Sequence, residues 1–327
     1  MIGRRDFIML LGGAAATWPL AARAQQAAPP VVGWLDSSSR EARRDGVAAF
    51  HAGLQETGYR EGENVVFVYG WAENRPERVA PLAADLLRRQ VAVIVANGVA
   101  AALAAKAATT TIPIVFGTGG DPISLDLVSS LNRPGGNLTG VSSLGNALAS
   151  KQLQLLHELA PGAKAIAHLL NPTNPNAQGD VKDVQTAAGA LGLEVNILNA
   201  GIQSDIDLAF AAITQQQLGA VIVANNPFLN SRVNQIAQLA LIHRVPTIFP
   251  HREAATVGGL ISYGPSNMDT SRRMGVYTGR ILKGEKPGDL PIWQETKVQF
   301  VINLITAKSL GLTVPATLLA IAEEVIE

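Results

Sequence analysis

The sequence predicts an α/β fold of two Rossmann-like lobes, each a parallel sheet with crossover helices, joined by a multi-segment hinge. Short runs rich in Val and Ile alternate with longer stretches of helical period almost to the end of the chain. Those runs are too numerous for one ordinary sheet. Two turn-rich interruptions, Asn132 to Asn137 and Tyr263-Gly264-Pro265, stand where a chain would cross between lobes.

The expected strands, in order, are Val31–Leu35, Val65–Tyr69, Val91–Ala96, Ile112–Phe116, Leu138–Val141, Ala165–Leu170, Leu193–Leu198, Ala220–Ala224, Pro246–Phe249 and Leu260–Tyr263. After the first, Ser38 and Glu41 have the spacing of a capping box, Val47, Phe50 and Leu54 share one helical face, and Gly58 ends the helix. Pro76 and Glu77 open the next helix, where proline costs no hydrogen bond and an acid meets the positive dipole end. Val99 to Thr109 is almost all alanine, a strong helix former whose small side chain also suits close packing on a sheet. Past Asn137, a strand and a helix from Ser150 to Ala160 begin a second alternating unit, which puts a lobe boundary near residue 142. The helix after Pro265 is expected to reach Leu282, followed by a turn-rich stretch from Lys283 to Leu290. These marks assign 31–142 and 265–288 to the first lobe, and 143–264 and 289–327 to the second.

Ahead of the lobes, Arg4 and Arg5 precede the apolar stretch IMLLGGAAATWPLAA and then Ala22-Arg23-Ala24. A charged start, an apolar core and a small-x-small exit predict a cleavable export signal over 1–24, a mature chain beginning at Gln25 and a periplasmic location. Its apolar run is too short and too rich in Gly and Ala to suit a bilayer span, so an integral membrane protein is not expected. The paired arginines also have the form of a twin-arginine signal, although they equally suit the basic end of a general secretory one.

Composition narrows the function. The chain has no cysteine, which removes disulfides, thiolate metal sites and a cysteine nucleophile. Its 26 basic residues balance 26 acidic ones, so no basic footprint for nucleic acid is present. The stretch Phe116-Gly117-Thr118-Gly119-Gly120-Asp121-Pro122 follows a strand as a dinucleotide loop would, but Pro122 stands where the third glycine belongs. There is no phosphate loop, no strand-turn-helix Gly-x-Ser-x-Gly and no His-Glu-x-x-His. The five histidines, His51, His157, His168, His243 and His251, have no metal-ligand spacing. No cofactor and no metal are expected.

What remains is a recurrence of small polar residues at strand ends, where open α/β sheets bind ligands. The candidate ligand-binding residues are Ser37, Ser38, Asn97, Gly98, Phe116, Thr118, Asp121, Asn171, Asn226 and Tyr263. Hydroxyls, amides and exposed backbone suit hydrogen bonding to a small solute, and few of them can act as a general acid or base near neutrality. The competing reading is that Ser and Asn merely cap helices.

The segments IPIVFGTGGDPISLDLVSSLNRPGGNLTGVS, GGLISYGP, GRILKGEKPGDLPIWQETKVQFVINLITAKSLGLTVP and the closing AEEVIE resemble the ABC transporter substrate-binding family that includes tryptophan- and tyrosine-binding receptors. The resemblance runs from Val31 to Glu327 and implies a type I periplasmic-binding fold, a monomer that encloses a small solute and delivers it to a membrane permease and its ATPase. Two positions depart from the family pattern: Asn226 stands where members commonly carry an acid, and Asp126 where glycine is usual. The first implies altered pocket charge. A ligand-sensing module for a membrane signalling partner would share fold and signal, and an α/β enzyme on a small metabolite would need a catalytic constellation that the sequence does not display.

Overall fold

The structure, a computed structural model, describes residues 28–143 and 148–327. The expected export signal lies outside the described residues. In chain order the strands are β1 (Val31–Asp36), β2 (Val66–Trp71), β3 (Val93–Asn97), β4 (Ile114–Thr118), β5 (Leu138–Ser142), β6 (Ala165–Leu170), β7 (Glu194–Asn199), β8 (Ala220–Val223), β9 (Thr247–Phe249), β10 (Ile261–Pro265), β11 (Trp293–Gln294), β12 (Val298–Asn303) and β13 (Glu324–Ile326). The α-helices are α1 (Arg44–Glu56), α2 (Val79–Arg88), α3 (Val99–Ala108), α4 (Ala149–Leu159), α5 (Ala177–Ala190), α6 (Gln203–Gln215), α7 (Pro227–Ser231), α8 (Val233–Ile242), α9 (Glu253–Thr256), α10 (Asn267–Leu282), α11 (Leu304–Ser309) and α12 (Ala316–Ile321).

Two sheets result, a six-stranded one ordered β11-β5-β4-β3-β1-β2 and a seven-stranded one ordered β13-β12-β10-β9-β8-β6-β7. Neighbouring strands run parallel, except β12, which is antiparallel to β10. Strand alternation splits each core between two faces. Val93 and Val95 of β3 pack with Phe50 and Leu54 of α1 and Met274 and Tyr277 of α10. Ile94 and Ala96 face the other way, onto α2 and the alanines Ala101, Ala102 and Ala105 of α3. In the second sheet, Val221 and Val223 of β8 meet α6 and α8, while Ala220 and Ile222 meet α4 and α5.

The expected strands are all present, with bounds shifted by a residue or two; β11, β12 and β13 are additional. β12 follows the last crossing without a helix, so it breaks the alternation by which the other strands are recognised. β11 pairs with β5 at Val141 and Ser142, and Leu290 and Ile292 pack in the two first-lobe cores. The first lobe's returning segment therefore extends to 294 rather than stopping at 288. The chain changes sheet after β5, after β10 and after β11.

The helix after β1 begins at Arg44 rather than near Ser38. The buried Asp36 carboxylate takes both the Ser38 amide at 2.8 Å and the Ser38 hydroxyl at 2.7 Å, so that serine closes a turn instead of capping a helix. Asp126, where the family resemblance implies glycine, has φ +52°, the left-handed region that glycine occupies without strain, and its carboxylate pairs with Lys106 at 2.9 Å. Among the described residues no helix is long and apolar enough to cross a membrane.

Candidate functional site

A cleft lies between the lobes at the carboxyl ends of both sheets. The first lobe supplies Ser37 past β1, Asn97 and Gly98 at and past β3, Gly117 to Gly120 at and past β4, and Ser143 past β5. The second supplies Asn171 and Thr173 past β6 and the run Asn225 to Phe228 past β8. The N-terminal ends of α5 (Asn174 to Asn176) and α10 (Asn267, Thr270, Ser271) complete the walls. At one edge the lobes touch directly, Asn74 Nδ2 donating to Ser231 Oγ at 3.2 Å.

Gly98 caps α3 with φ +92°, a conformation that strains any residue with a Cβ. It offers no side chain to the helix, so the Val99 and Ala100 amides that line the cleft have no partner among the described residues. An uncapped N-terminus of a ten-residue helix attracts anions through those donors and its dipole. Arg43 also lines the cleft and, among the described residues, is its one charged side chain. Asp36 orients it from behind: one carboxylate oxygen stands 3.5 Å from Arg43 Nε and also accepts from Asn97 Nδ2 at 2.7 Å. Ser37 Oγ, Asn74 Oδ1 and Thr270 Oγ1 are buried without a partner, and all three belong to cleft-lining residues. Hydrogen-bonding capacity left unmet on buried atoms of a cleft is what a bound solute would satisfy.

Of the candidates read from the sequence, Ser37, Asn97, Gly98, Thr118, Asn171 and Asn226 line this cleft, and Ser38, Phe116, Asp121 and Tyr263 do not. Ser38 is spent on Asp36. Phe116 packs in the first-lobe core, because it sits two residues short of the carboxyl end of β4, where the sheet is still covered by helices, while Thr118 on the same face reaches the cleft. Asp121 is exposed and closes its own turn, accepting from the Ser124 hydroxyl at 2.6 Å and the Ile123 amide at 3.1 Å; those bonds hold its pKa below the ordinary value. The Tyr263 ring, partly buried, packs edge-on against Phe300 at the border of the second-lobe core. Sequence reasoning missed Arg43, Asn176, Asn230 and Asn267, which project from helix starts and a helix interior rather than from strand ends. The Asn267 signal is legible in retrospect: Ser266 caps α10 through the Asp269 amide at 3.1 Å, so the residue after the cap must sit at the positive end of that helix.

Behind the second-lobe wall a small pocket sets Gln152, His168, Asp180 and Asn225 among apolar side chains such as Val184 and Ile222. Asp180 accepts from Asn176 at 2.7 Å through one oxygen, and its other oxygen is buried without a partner. Burial pushes this carboxyl up to about 7, and burial lowers His168 to about 4. Both groups therefore sit neutral through mildly acid conditions. An unfolded aspartate loses its proton near pH 4. Between about pH 4 and 7 the folded chain alone holds the Asp180 proton, so stability falls as pH rises through that window. His168 acts in the opposite sense, costing stability as pH falls from 6.5 towards 4. Asp180→Asn retains an oxygen for Asn176 and should raise the melting temperature at pH 8 while leaving it nearly unchanged at pH 4. Equal shifts at both pH values would show that no proton is at stake.

Comparison with known proteins follows the same lines. The family described as ABC transporter substrate binding protein matches residues 31–326. The Tyrosine-binding protein of Clostridioides difficile (strain R20291) is 25% identical over 263 residues, covering 80% of this chain and 75% of that protein. A solved ABC domain from Streptococcus pneumonia, in complex with L-Trp, superposes with a TM-score of 0.83 at 26% identity, covering 91% of this chain and 100% of its own. A conserved domain protein from Vibrio cholerae reaches 0.85 at 26% identity, covering 90% of this chain and 99% of its own. More distant type I periplasmic binding proteins, such as one from Agrobacterium vitis with bound allitol at 12% identity and a TM-score of 0.60, share the fold. With two α/β lobes, a cleft at their facing strand ends and a family match over nearly the whole described chain, this protein belongs to the ABC transporter substrate-binding protein family.

Proposed function

We propose that the protein is the receptor of an ABC importer, exported to the periplasm, where it encloses a small organic carboxylate between its lobes and hands it to a membrane permease driven by an ATPase. The observation that carries the reading is the cleft itself, where the uncapped start of α3 and the Arg43 guanidinium converge from the first lobe and unpartnered amides face them from the second. A carboxylate suits the Val99 and Ala100 amides together with Arg43. Catalysis is the weaker reading, since among the described residues no Asp, Glu or His lines the cleft to act as a general acid or base. The amino acids named for two relatives, tyrosine and tryptophan, make an α-amino acid the main competitor for the solute. Export rests on the pattern from Arg4 to Ala24.

One preparation tests the proposal. Protein taken from its native periplasm should begin at Gln25, and denaturation should release a small carboxylate identifiable by mass spectrometry. Adding that compound to the emptied receptor should reduce the radius of gyration in solution scattering, because a solute touching both lobes favours the closed state. Chemical turnover of the released compound would defeat the receptor reading, and an unchanged radius at saturation would defeat closure.

A further inference from the structure

We propose that the second lobe grips the solute at a hydrogen-bond acceptor, so that the solute is an organic anion carrying a carboxylate or oxo group at each end and no ammonium group. This rests on the receptor reading above and deepens it. Pairing of Leu169 with Val223 sets the ends of β6 and β8 side by side, which brings Asn171 next to Asn225 and Asn226. Asn171 and Asn226 are 6% and 5% exposed. The Asn171 Oδ1 accepts from the Thr173 amide at 3.0 Å and the Thr173 hydroxyl at 2.9 Å. The Asn226 Oδ1 accepts from the Phe228 amide at 2.8 Å and the Leu229 amide at 3.3 Å. A backbone N–H can only donate, so these contacts fix which end of each side-chain amide is oxygen. Each Nδ2 is left as a pair of donors with no partner among the described residues, on a residue that lines the cleft. Asn174 repeats the arrangement, its Oδ1 taken by the Asn176 amide at 3.3 Å.

An ammonium group also only donates, and at Asn171 and Asn226 it would meet donors head on; the acceptors this wall keeps, Asn176 Oδ1 and Asn230 Oδ1, are neutral amide oxygens. The first lobe offers no anionic counter-group: beside the Val99 and Ala100 amides and the Arg43 cation, its unpartnered acceptors are neutral, Asn74 Oδ1 and the Ser37 and Thr270 hydroxyls. Among the described residues no carboxylate lines the cleft, and Asp36 is already saturated by Ser38, Asn97 and Arg43. The acceptor whose orientation is fixed is Asn97 Oδ1, turned away from Asp36, and a neutral amide oxygen suits a hydroxyl on the solute. Donors at both ends of the site match a dicarboxylate or an oxo acid.

Asn226→Asp isolates the point. One carboxylate oxygen still accepts from Phe228 and Leu229, so the α7 cap survives, and only the cleft-facing donor becomes an anion. Asn226→Ala would not serve, because it removes the cap as well as the contact. Calorimetry on the full chain with succinate, 2-oxoglutarate, L-tyrosine and L-tryptophan reads the outcome, and Asn171→Asp is the second variant. The expected result is binding of an amine-free acid, weakened roughly tenfold or more in either variant by the loss of a charge-assisted bond and the gain of a repulsion. The melting temperature of the unliganded variants should stay at the wild-type value. Binding of tyrosine or tryptophan that is kept or tightened in Asn226→Asp would overturn the inference and leave the receptor reading standing. Failure of both amine-free acids would overturn it too, and failure of all four compounds, with no solute released from native protein, would remove the receptor reading with it.

Discussion

Gly275→Ala is expected to lower the melting temperature by about 6 to 12 °C, a cost of about 3 kcal/mol for a chain of this size. Helices α1 and α10 cross in backbone contact. A Cβ at Gly275 would stand 2.1 Å from the Phe50 carbonyl oxygen and 2.7 Å from the Leu54 nitrogen, and one at Gly53 would stand 1.9 Å from the Arg272 carbonyl oxygen. The obstructing atoms are main chain, so no rotamer change relieves the clash and α10 must move as a body. That helix carries Met274, Tyr277 and Ile281 into the first-lobe core, and its start lines the cleft through Asn267, Thr270 and Ser271. Lost stability should therefore come with lost solute affinity. Gly162→Ala is the control, because a Cβ there meets nothing within 4 Å. Scanning calorimetry that found the Gly275 and Gly162 variants equally stable would rule out the close crossing.

Arg43→Ala should have the largest effect on binding, a loss of about 10- to 100-fold in affinity for the solute released from native protein, as one charge-assisted hydrogen bond disappears. It should also cost stability, since Asp36 is fully buried and Arg43 is its cationic neighbour at 3.5 Å. Breaking a buried pair costs about 3 to 5 kcal/mol. Here the cost is expected nearer 2 kcal/mol, because Asp36 keeps neutral donors from Ser38 and Asn97 and Arg43 is partly open to the cleft. Arg43→Lys separates the two roles: it retains the charge that neutralises Asp36 and loses the fork that holds a carboxylate with two parallel bonds. Its melting temperature should recover further than its affinity. Calorimetric affinities in Arg43→Ala equal to wild type would take this residue out of the site.

Much of the architecture was legible in the chain because parallel α/β sheets impose a repeating signal. A buried strand reads as a short Val and Ile run, as at Val93 to Ala96, and the helix after it as a longer periodic stretch. Polar residues just past such runs fall at the carboxyl edge whatever the details of packing, which is why Ser37, Asn97, Gly98, Thr118, Asn171 and Asn226 all reach the cleft. β11 was beyond that reasoning, since two residues carry no period and the strand exists only as a partner to Val141 and Ser142. The same holds for β13, three residues paired with β12.

By itself the sequence determined the two-lobed α/β class, the crossings after β5 and β10, and the supply of small polar groups at strand ends, because each follows from local period and turn chemistry. Tertiary structure alone decided which polar groups face the cleft. Phe116 and Tyr263 were lost to packing within their own lobes, and Ser38 and Asp121 to short bonds in their own turns. Arg43 entered from a turn before α1, because a buried aspartate sixty-odd positions from its other partner, Asn97, holds both in place. Side-chain direction at a site depends on which donors and acceptors neighbouring strands have already used. Those neighbours are fixed by sheet order, which the linear pattern of residues does not encode.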